Sequence, residues 1–201
     1  MGTSAPEEIR FAILASGRGS NAEALMEAFQ SGFLPARLVV VVSNIEGAPV
    51  LDKAARRGIA TQLVPHKNLD REQHEAALLQ VLVDRRIDHL LLCGYMRLLS
   101  PFFLARWHGK ILNIHPALLP DFPGLHAAQK QWEAGYKVAG ATVHFVDAGV
   151  DTGPSLLSGS LVVRGDEGAG GLAERILDEV EHVIYPRAVR LFLDRLRPPN
   201  G

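Results

Sequence analysis

Apolar residues come in short unbroken runs separated by amphipathic stretches. Phe11-Ala12-Ile13-Leu14 is the first run, and it ends in Ser16-Gly17-Arg18-Gly19-Ser20-Asn21. Ala22, Leu25, Met26 and Phe29 then recur at helical spacing. Leu38-Val39-Val40-Val41-Val42 is continuous and rich in β-branched residues, the pattern of a strand covered on both faces. Pro49 to about Arg57 reads as a helix stopped by Gly58, and Thr61-Gln62-Leu63-Val64 as a third strand. Asp70-Arg71-Glu72-Gln73 has the form of a capping box, predicting a helix to about Arg86 with Ala77, Leu78, Val81 and Leu82 on its inner side. His89 to Cys93 is a fourth strand, and Ser100-Pro101 opens a helix with a cap and a first-turn proline. Ile111-Leu112-Asn113-Ile114-His115 is a fifth strand running straight into the loop from Pro116 to Pro123.

The rhythm then loosens. A short helix is expected over Ala127 to Ala134, a half-exposed strand over Ala141 to Val146, and another strand over Leu156 to Val163. About Gly171 to Leu196 reads as one long helix. Strands alternating with helices imply an α/β protein with a doubly wound, mostly parallel sheet, right-handed crossovers and helices on both faces. No internal repeat or low-complexity linker interrupts the pattern, so a single domain over residues 1–201 is expected.

Composition narrows the function. The net charge is −1 and the basic residues are scattered, which argues against broad adhesion to nucleic acid or to an anionic membrane. Cys93 is the single cysteine and lies in an apolar run, so it reads as a small buried hydrophobe; neither an internal disulfide nor a cysteine-based zinc cluster is expected. Met1 to Glu8 lacks the apolar run of a leader peptide, and no run reaches the roughly 18 residues of a membrane span. The expectation is a soluble cytoplasmic protein.

Candidate chemistry sits at strand ends. The glycine loop between the first strand and first helix lets backbone N–H groups turn toward an anion at a helix N-terminus. It lacks the lysine of a P-loop, and Ala22 stands where a dinucleotide fingerprint has its third glycine. The second strand ends in Ser43-Asn44 rather than an acid, which favours a mononucleotide phosphate over NAD. A plain tight turn remains the structural alternative. Asn113 and His115, two apart on a strand, leave on one face and can pair an oxyanion donor with a proton carrier. Asp151, in Val150-Asp151-Thr152-Gly153-Pro154, reads either as a turn former or as a partner for a histidine. His66, His74, His89, His108 and His182 follow no metal-ligand spacing and read as structural or surface groups. His144 is a stronger candidate, because it alternates along the strand leading to Asp151.

Taken in order, several motifs resemble the glycinamide ribonucleotide branch of the folate-dependent formyltransferases. They are Ser16 to Asn21, Ser43-Asn44, Gly94-Tyr95-Met96-Arg97-Leu98-Leu99-Ser100, Asn113 to Pro120, Pro123-Gly124-Leu125-His126, His144-Phe145-Val146, Asp151 to Pro154 and Glu181-His182-Val183-Ile184-Tyr185-Pro186. The resemblance runs over nearly the whole chain. It implies one Rossmann-like domain, with a nucleotide-phosphate half over about 8–100 and a catalytic and folate half over about 101–197. It implies Asn113, His115 and Asp151 as the catalytic set. Gly19, Ser20, Asn21, Ala22, Glu23 and Glu181 would hold the ribonucleotide. Arg71, Met96, Arg97, Leu98, Leu99, Asn113, Asp147, Val150 and Asp151 would line the folate site. The co-substrate would be 10-formyltetrahydrofolate, with no metal, no nucleic acid and no membrane, in a monomer or homodimer. Arg18 and Ala117 depart from the residues common at their positions, Asn and Ser.

Rivals stay open at this point. Methionyl-tRNA formyltransferase shares the Asn-x-His and distant-Asp arrangement, but usually adds a basic C-terminal domain and continues its proline loop toward Arg-Gly, where this chain reads Phe122-Pro123-Gly124-Leu125. Formyltetrahydrofolate deformylase usually adds an N-terminal regulatory domain. A non-catalytic nucleotide-binding module on the same fold is the alternative of a different class.

Overall fold

The computed structural model describes residues 8–196, so the expectation for Met1 to Glu8 lies, but for Glu8, outside the described residues. One seven-stranded sheet forms the centre, in the order β3-β2-β1-β4-β5-β6-β7. Strands β1 (Arg10–Ala15), β2 (Arg37–Ser43), β3 (Ala60–Leu63), β4 (His89–Leu92) and β5 (Ile111–His115) are parallel. β6 (Val138–Phe145) pairs antiparallel with β5, and β7 (Ser155–Val162) pairs antiparallel with β6. The helices are α1 (Ser20–Gln30), α2 (Pro49–Arg56), α3 (Arg71–Asp84), α4 (Pro101–Arg106), α5 (Ala127–Glu133), α6 (Gly168–Arg175) and α7 (His182–Leu196).

Alternation along β1 divides the core. Phe11 and Ile13 point to one face, where they join Leu25 and Met26 of α1 and Tyr185 and Leu193 of α7. Ala12 and Leu14 point to the other, with Leu78 and Leu82 of α3 and Phe103 and Trp107. Each fully buried side chain of this size contributes about 1.5–3 kcal/mol of transfer free energy, so both layers hold the sheet firmly. Strand order reverses between β1 and β4, and the loops leaving their carboxyl ends diverge there. That is the crevice where ligands gather in open α/β sheets.

Three expectations need correction. The strand read as half-exposed is β6, longer than expected and buried on both sides from Ala139 to His144. The loop from Pro116 covers it through Thr142, whose hydroxyl donates to Ala117 O at 2.8 Å and accepts from Leu119 N at 3.1 Å. The long final helix starts earlier, at Gly168, and passes through a π-helical stretch, Ile176–Glu181, before α7. In α3 the capping box forms, with Gln73 N donating to Asp70 Oδ1 at 2.8 Å and Asp70 N donating to Gln73 Oε1 at 3.2 Å. Its inner face, however, is His74, Glu75, Leu78 and Leu82, while Ala77 is exposed.

Candidate active site

Three loops meet at the carboxyl edge of the sheet: those after β1, β4 and β5. The first is the glycine loop. Gly19 caps α1 with φ 72°, and a Cβ there would lie 2.3 Å from Val50 Cγ2, so the position demands glycine twice over. No side chain caps α1, which leaves its first N–H groups free of an internal partner. Asn21 Nδ2 donates to Glu181 Oε2 at 2.5 Å, and Asn21 Oδ1 is buried without a hydrogen-bond partner among the described residues. Glu181 comes from the π-helical stretch and is 6% exposed. Burial pushes its carboxyl up, and the Asn21 donor pulls it back only in part.

Two members of the expected ribonucleotide set behave differently. The Ala22 side chain is fully buried in the core, so only its backbone is available to a ligand. Glu23 accepts from Lys53 Nζ at 2.5 Å and faces a broad groove of about 600 Å³ along the outside of α1. None of Asn113, His115 and Asp151 lines that groove.

The second loop follows β4, and with the turn after β6 it bounds a cleft of about 320 Å³. Arg71, Arg97, Leu98, Leu99, Asn113, Asp147, Val150 and Asp151 all line it, as does Tyr95, which sequence reasoning did not single out. Met96 does not: its side chain is 69% exposed, and its N–H donates to Ser16 Oγ at 2.8 Å, tying the loop to the glycine loop. Asp147 Oδ1 accepts from Gly149 N at 3.0 Å and from Thr152 Oγ1 at 2.7 Å, which holds the turn that presents Val150 and Asp151.

The third loop brings the reacting groups together. His115 Nδ1 is 3.2 Å from Asp151 Oδ2, and its Nε2 is 2.8 Å from Phe122 O. Both ring nitrogens therefore face acceptors, and only a ring carrying both protons satisfies both. Asp151 sits at φ 55° and also accepts from Gly124 N at 2.9 Å. Burial pushes the Asp151 carboxyl up, but the hydrogen bonds from His144 and Gly124 and the charges of His115 and His144 outweigh it, and the net position is below the usual carboxylate range.

His144 belongs to this cluster. The antiparallel register places it directly opposite Asn113, so the two side chains share a face. Asn113 Nδ2 lies 3.2 Å from His144 Nε2, and His144 Nε2 lies 3.4 Å from Asp151 Oδ1. His144 Nδ1 is 2.9 Å from Phe145 O, which fixes the ring. The remaining histidines divide between core and rim, with His74 and His89 buried. Among the described residues no three His, Cys, Asp or Glu side chains are grouped to hold a metal ion, and no helix is long and apolar enough to cross a membrane.

An amide, a doubly engaged imidazole and a depressed carboxylate at the lip of a cleft suit acyl transfer to an amine. Comparison with known proteins agrees. The chain is 40% identical over 188 residues to the trifunctional purine biosynthetic protein adenosine-3 of Drosophila melanogaster, covering 92% of this chain but 14% of that protein. It thus spans about one seventh of the length of that relative. It is 35% identical over 183 residues to the phosphoribosylglycinamide formyltransferase of Escherichia coli (strain K12), covering 90% of this chain and 86% of the relative. The solved structure of glycinamide ribonucleotide transformylase 1 from Symbiobacterium toebii superposes with a TM-score of 0.90 at 41% identity, over 96% of this chain and 92% of that one. The model of the formyl transferase family matches residues 9–189, taking in all three loops of the site, and the chain belongs to that family.

Proposed function

We propose that the protein transfers the formyl group of 10-formyltetrahydrofolate to the primary amine of glycinamide ribonucleotide, as an enzyme of purine biosynthesis working in the cytoplasm as a monomer or homodimer. The observation that carries the reading is the convergence of Asn113, His115 and Asp151 at one edge of the Arg71–Arg97 cleft. The nucleotide-phosphate half, about 8–100, supplies the glycine loop; the catalytic half, about 101–197, supplies the reacting groups.

The cleft suits the co-substrate. Its volume is at the lower end for small-molecule sites and matches a fused ring system rather than a whole conjugated folate. Leu92, Leu104 and Val146 give apolar walls, while Arg71 and Arg97 offer cations to the carboxylates of a glutamate tail. The folate supplies the formyl group as a substrate. On the other side, the α1 N-terminus with Gly19, Ser20 and Asn21 takes the phosphate. Glu181 and the unpartnered Asn21 Oδ1 face donors on the ribose or glycyl amine.

The residues divide the work. Asn113 donates an amide N–H to the oxygen that becomes negative as the amine adds to the formyl carbon. His115, protonated, supplies the second donor and the charge; its Nε2 proton is held by Phe122 O, so a substrate must displace that carbonyl. Asp151 keeps the imidazolium charged and oriented. As the new C–N bond forms, the attacking amine becomes an ammonium and the formyl oxygen an oxyanion; as the oxygen re-forms its double bond and the old C–N bond breaks, His115 gives its proton to the departing folate nitrogen, and the ammonium proton then restores the imidazolium. Each lost donor costs about 2.7–4 kcal/mol of transition-state stabilisation.

The test is a coupled measurement of folate absorbance with glycinamide ribonucleotide, methionyl-tRNA and water as rival acceptors, repeated on His115→Ala. Turnover requiring the ribonucleotide and lost in the variant supports the reading. Turnover only with tRNA or water keeps the formyl chemistry and overturns the acceptor. Folate binding without turnover makes the chain a sensor.

A further inference from the structure

Two neighbouring polar residues point inward from the first turns of α3, where the apolar pattern predicts a hydrophobic face. His74 and Glu75 are 2% and 4% exposed. Glu75 accepts the Ser100 N–H at 2.6 Å and also the Ser100 hydroxyl. His74 Nε2 is 2.7 Å from the Tyr95 hydroxyl, and His74 Nδ1 is 3.3 Å from Pro65 O. One turn of α3 therefore holds the cleft loop near both its ends, and Arg71, which opens that turn, lines the same cleft. Buried polar groups cost free energy unless they are hydrogen-bonded, so a purely apolar face would pack more cheaply.

The direction of these bonds follows from the inventory of donors. A carbonyl only accepts, so His74 Nδ1 carries the ring proton. Nε2 is then an acceptor, and the Tyr95 O–H donates to it. With its proton spent inward, the phenol oxygen of this cleft-lining residue retains lone pairs only. We propose that His74 is a positioning residue that fixes Tyr95 as a hydrogen-bond acceptor, so that this wall of the cleft selects a ring system presenting an N–H donor. Protonation of His74 reverses the sense: Nε2–H donates to Tyr95, whose own proton turns into the cleft and meets the donor of the ligand head-on. The identity of the ring rests on the folate reading given above; the acceptor assignment does not.

Four groups surround the imidazole. Tyr95 and Arg97 face it from the cleft loop, His66 lies edge-on with ring centroids 6.3 Å apart, and Glu75 adjoins it on α3. Burial is the largest influence and lowers its affinity for a proton; Pro65 O opposes this, Arg97 and His66 add to it, and Glu75 opposes it. The net direction is down, so the acceptor state holds at neutral pH and the reversal belongs to acid.

Nitrogen NMR of the His74 ring in the protein alone tests the assignment. The expected signals are those of the Nδ1–H tautomer, titrating below the ordinary histidine range and shifted in Tyr95→Phe; an Nε2–H tautomer overturns the proposal whatever the cleft binds. The second measurement is KM for the formyl folate and kcat against pH, in the wild type, Tyr95→Phe and His74→Gln. Wild-type KM should rise about 2–10-fold on acidification, the worth of one hydrogen bond, while both variants stay flat and kcat keeps one pH profile in all three. An acid rise that persists in Tyr95→Phe, or one that appears in kcat and not in KM, overturns the proposal. With the Nδ1–H tautomer observed, absence of folate binding at every pH overturns the folate reading and supports the acceptor assignment alone.

Discussion

His115 Nδ1 lies 3.2 Å from Asp151 Oδ2, with side chains only 6% and 13% exposed. The other oxygen of the same carboxylate is 3.4 Å from His144 Nε2, so one negative charge serves two imidazoles in a site largely closed to water. Asp151 occupies the left-handed region at φ 55°, which asparagine tolerates well. Asp151→Asn therefore removes the charge while keeping the turn and an acceptor for Gly124 N. Loss of kcat by about 10³-fold is expected with the fold retained. The Asp151 carboxyl is held below its ordinary 3.8, so it contributes stability that is present above that value and lost as pH falls through the lowered one. Denaturant titrations between pH 5 and about 2 should show this acid sensitivity shrinking in the variant; an unchanged kcat would remove Asp151 from the mechanism.

Glu181 carries the opposite sign. Burial raises its carboxyl, so the native state favours the protonated form and pays for ionisation as pH rises through the raised value. Glu181→Gln is uncharged at every pH. It is expected to raise Tm at pH 8 and to leave Tm nearly unchanged at pH 4. In the same variant KM for the ribonucleotide should rise, because the carboxylate beside Asn21 is the group proposed to meet the substrate. Higher stability with weaker binding is the diagnostic pair; a lower Tm at pH 8 contradicts the sign.

The glycine loop allows a controlled comparison. Gly19 has φ 72° and Val50 Cγ2 2.3 Å from where a Cβ would stand, whereas Gly17 has nothing within 4 Å and no positive φ. Gly19→Ala should cost about 1–2 kcal/mol for the left-handed backbone, with the clash added, while Gly17→Ala should be near neutral. Urea midpoints measure both. A difference no larger than the left-handed backbone cost would mean that Val50 and α2 yield to the added methyl group, and equal midpoints would contradict the backbone argument.

What the chain order made legible was local. The Asp70–Gln73 capping box, the glycine loop between β1 and α1 and the i, i+2 placement of Asn113 and His115 on β5 each depend on residues close in sequence, and each is found where the local pattern puts it. The distance from His115 to Asp151 depends on a loop, a helix and a strand folding between them, so spacing alone could not supply it. His144 enters the site through the β5–β6 register, which pairs it with Asn113 across strands. The inner face of α3 was misread because His74 and Glu75 are polar, and their burial follows from hydrogen bonds to the cleft loop rather than from hydrophobicity. The π-helical stretch that delivers Glu181 leaves no mark in a helical periodicity, since an added residue shifts phase within an otherwise continuous amphipathic segment.

A last prediction concerns His89, at the start of β4 and far from this chemistry in role. Its ring packs between Phe11 and Phe192, with centroids 5.3 and 4.8 Å away, and its Nδ1 is buried without a hydrogen-bond partner among the described residues. Burial is the dominant influence and lowers its pKa from 6.5 to about 4, with Asp88 opposing and Lys110 assisting. The unfolded chain therefore binds a proton that the native state refuses, and stability present above pH 6.5 is lost progressively as pH falls toward 4. The gap corresponds to about 3 kcal/mol at full development. His89→Leu fills a similar volume, removes the proton site and satisfies the aromatic neighbours. Unfolding free energies of the variant should exceed the wild type at pH 4.5, and the difference should fade toward pH 7.5. A difference independent of pH would show that packing, and not protonation, governs this position.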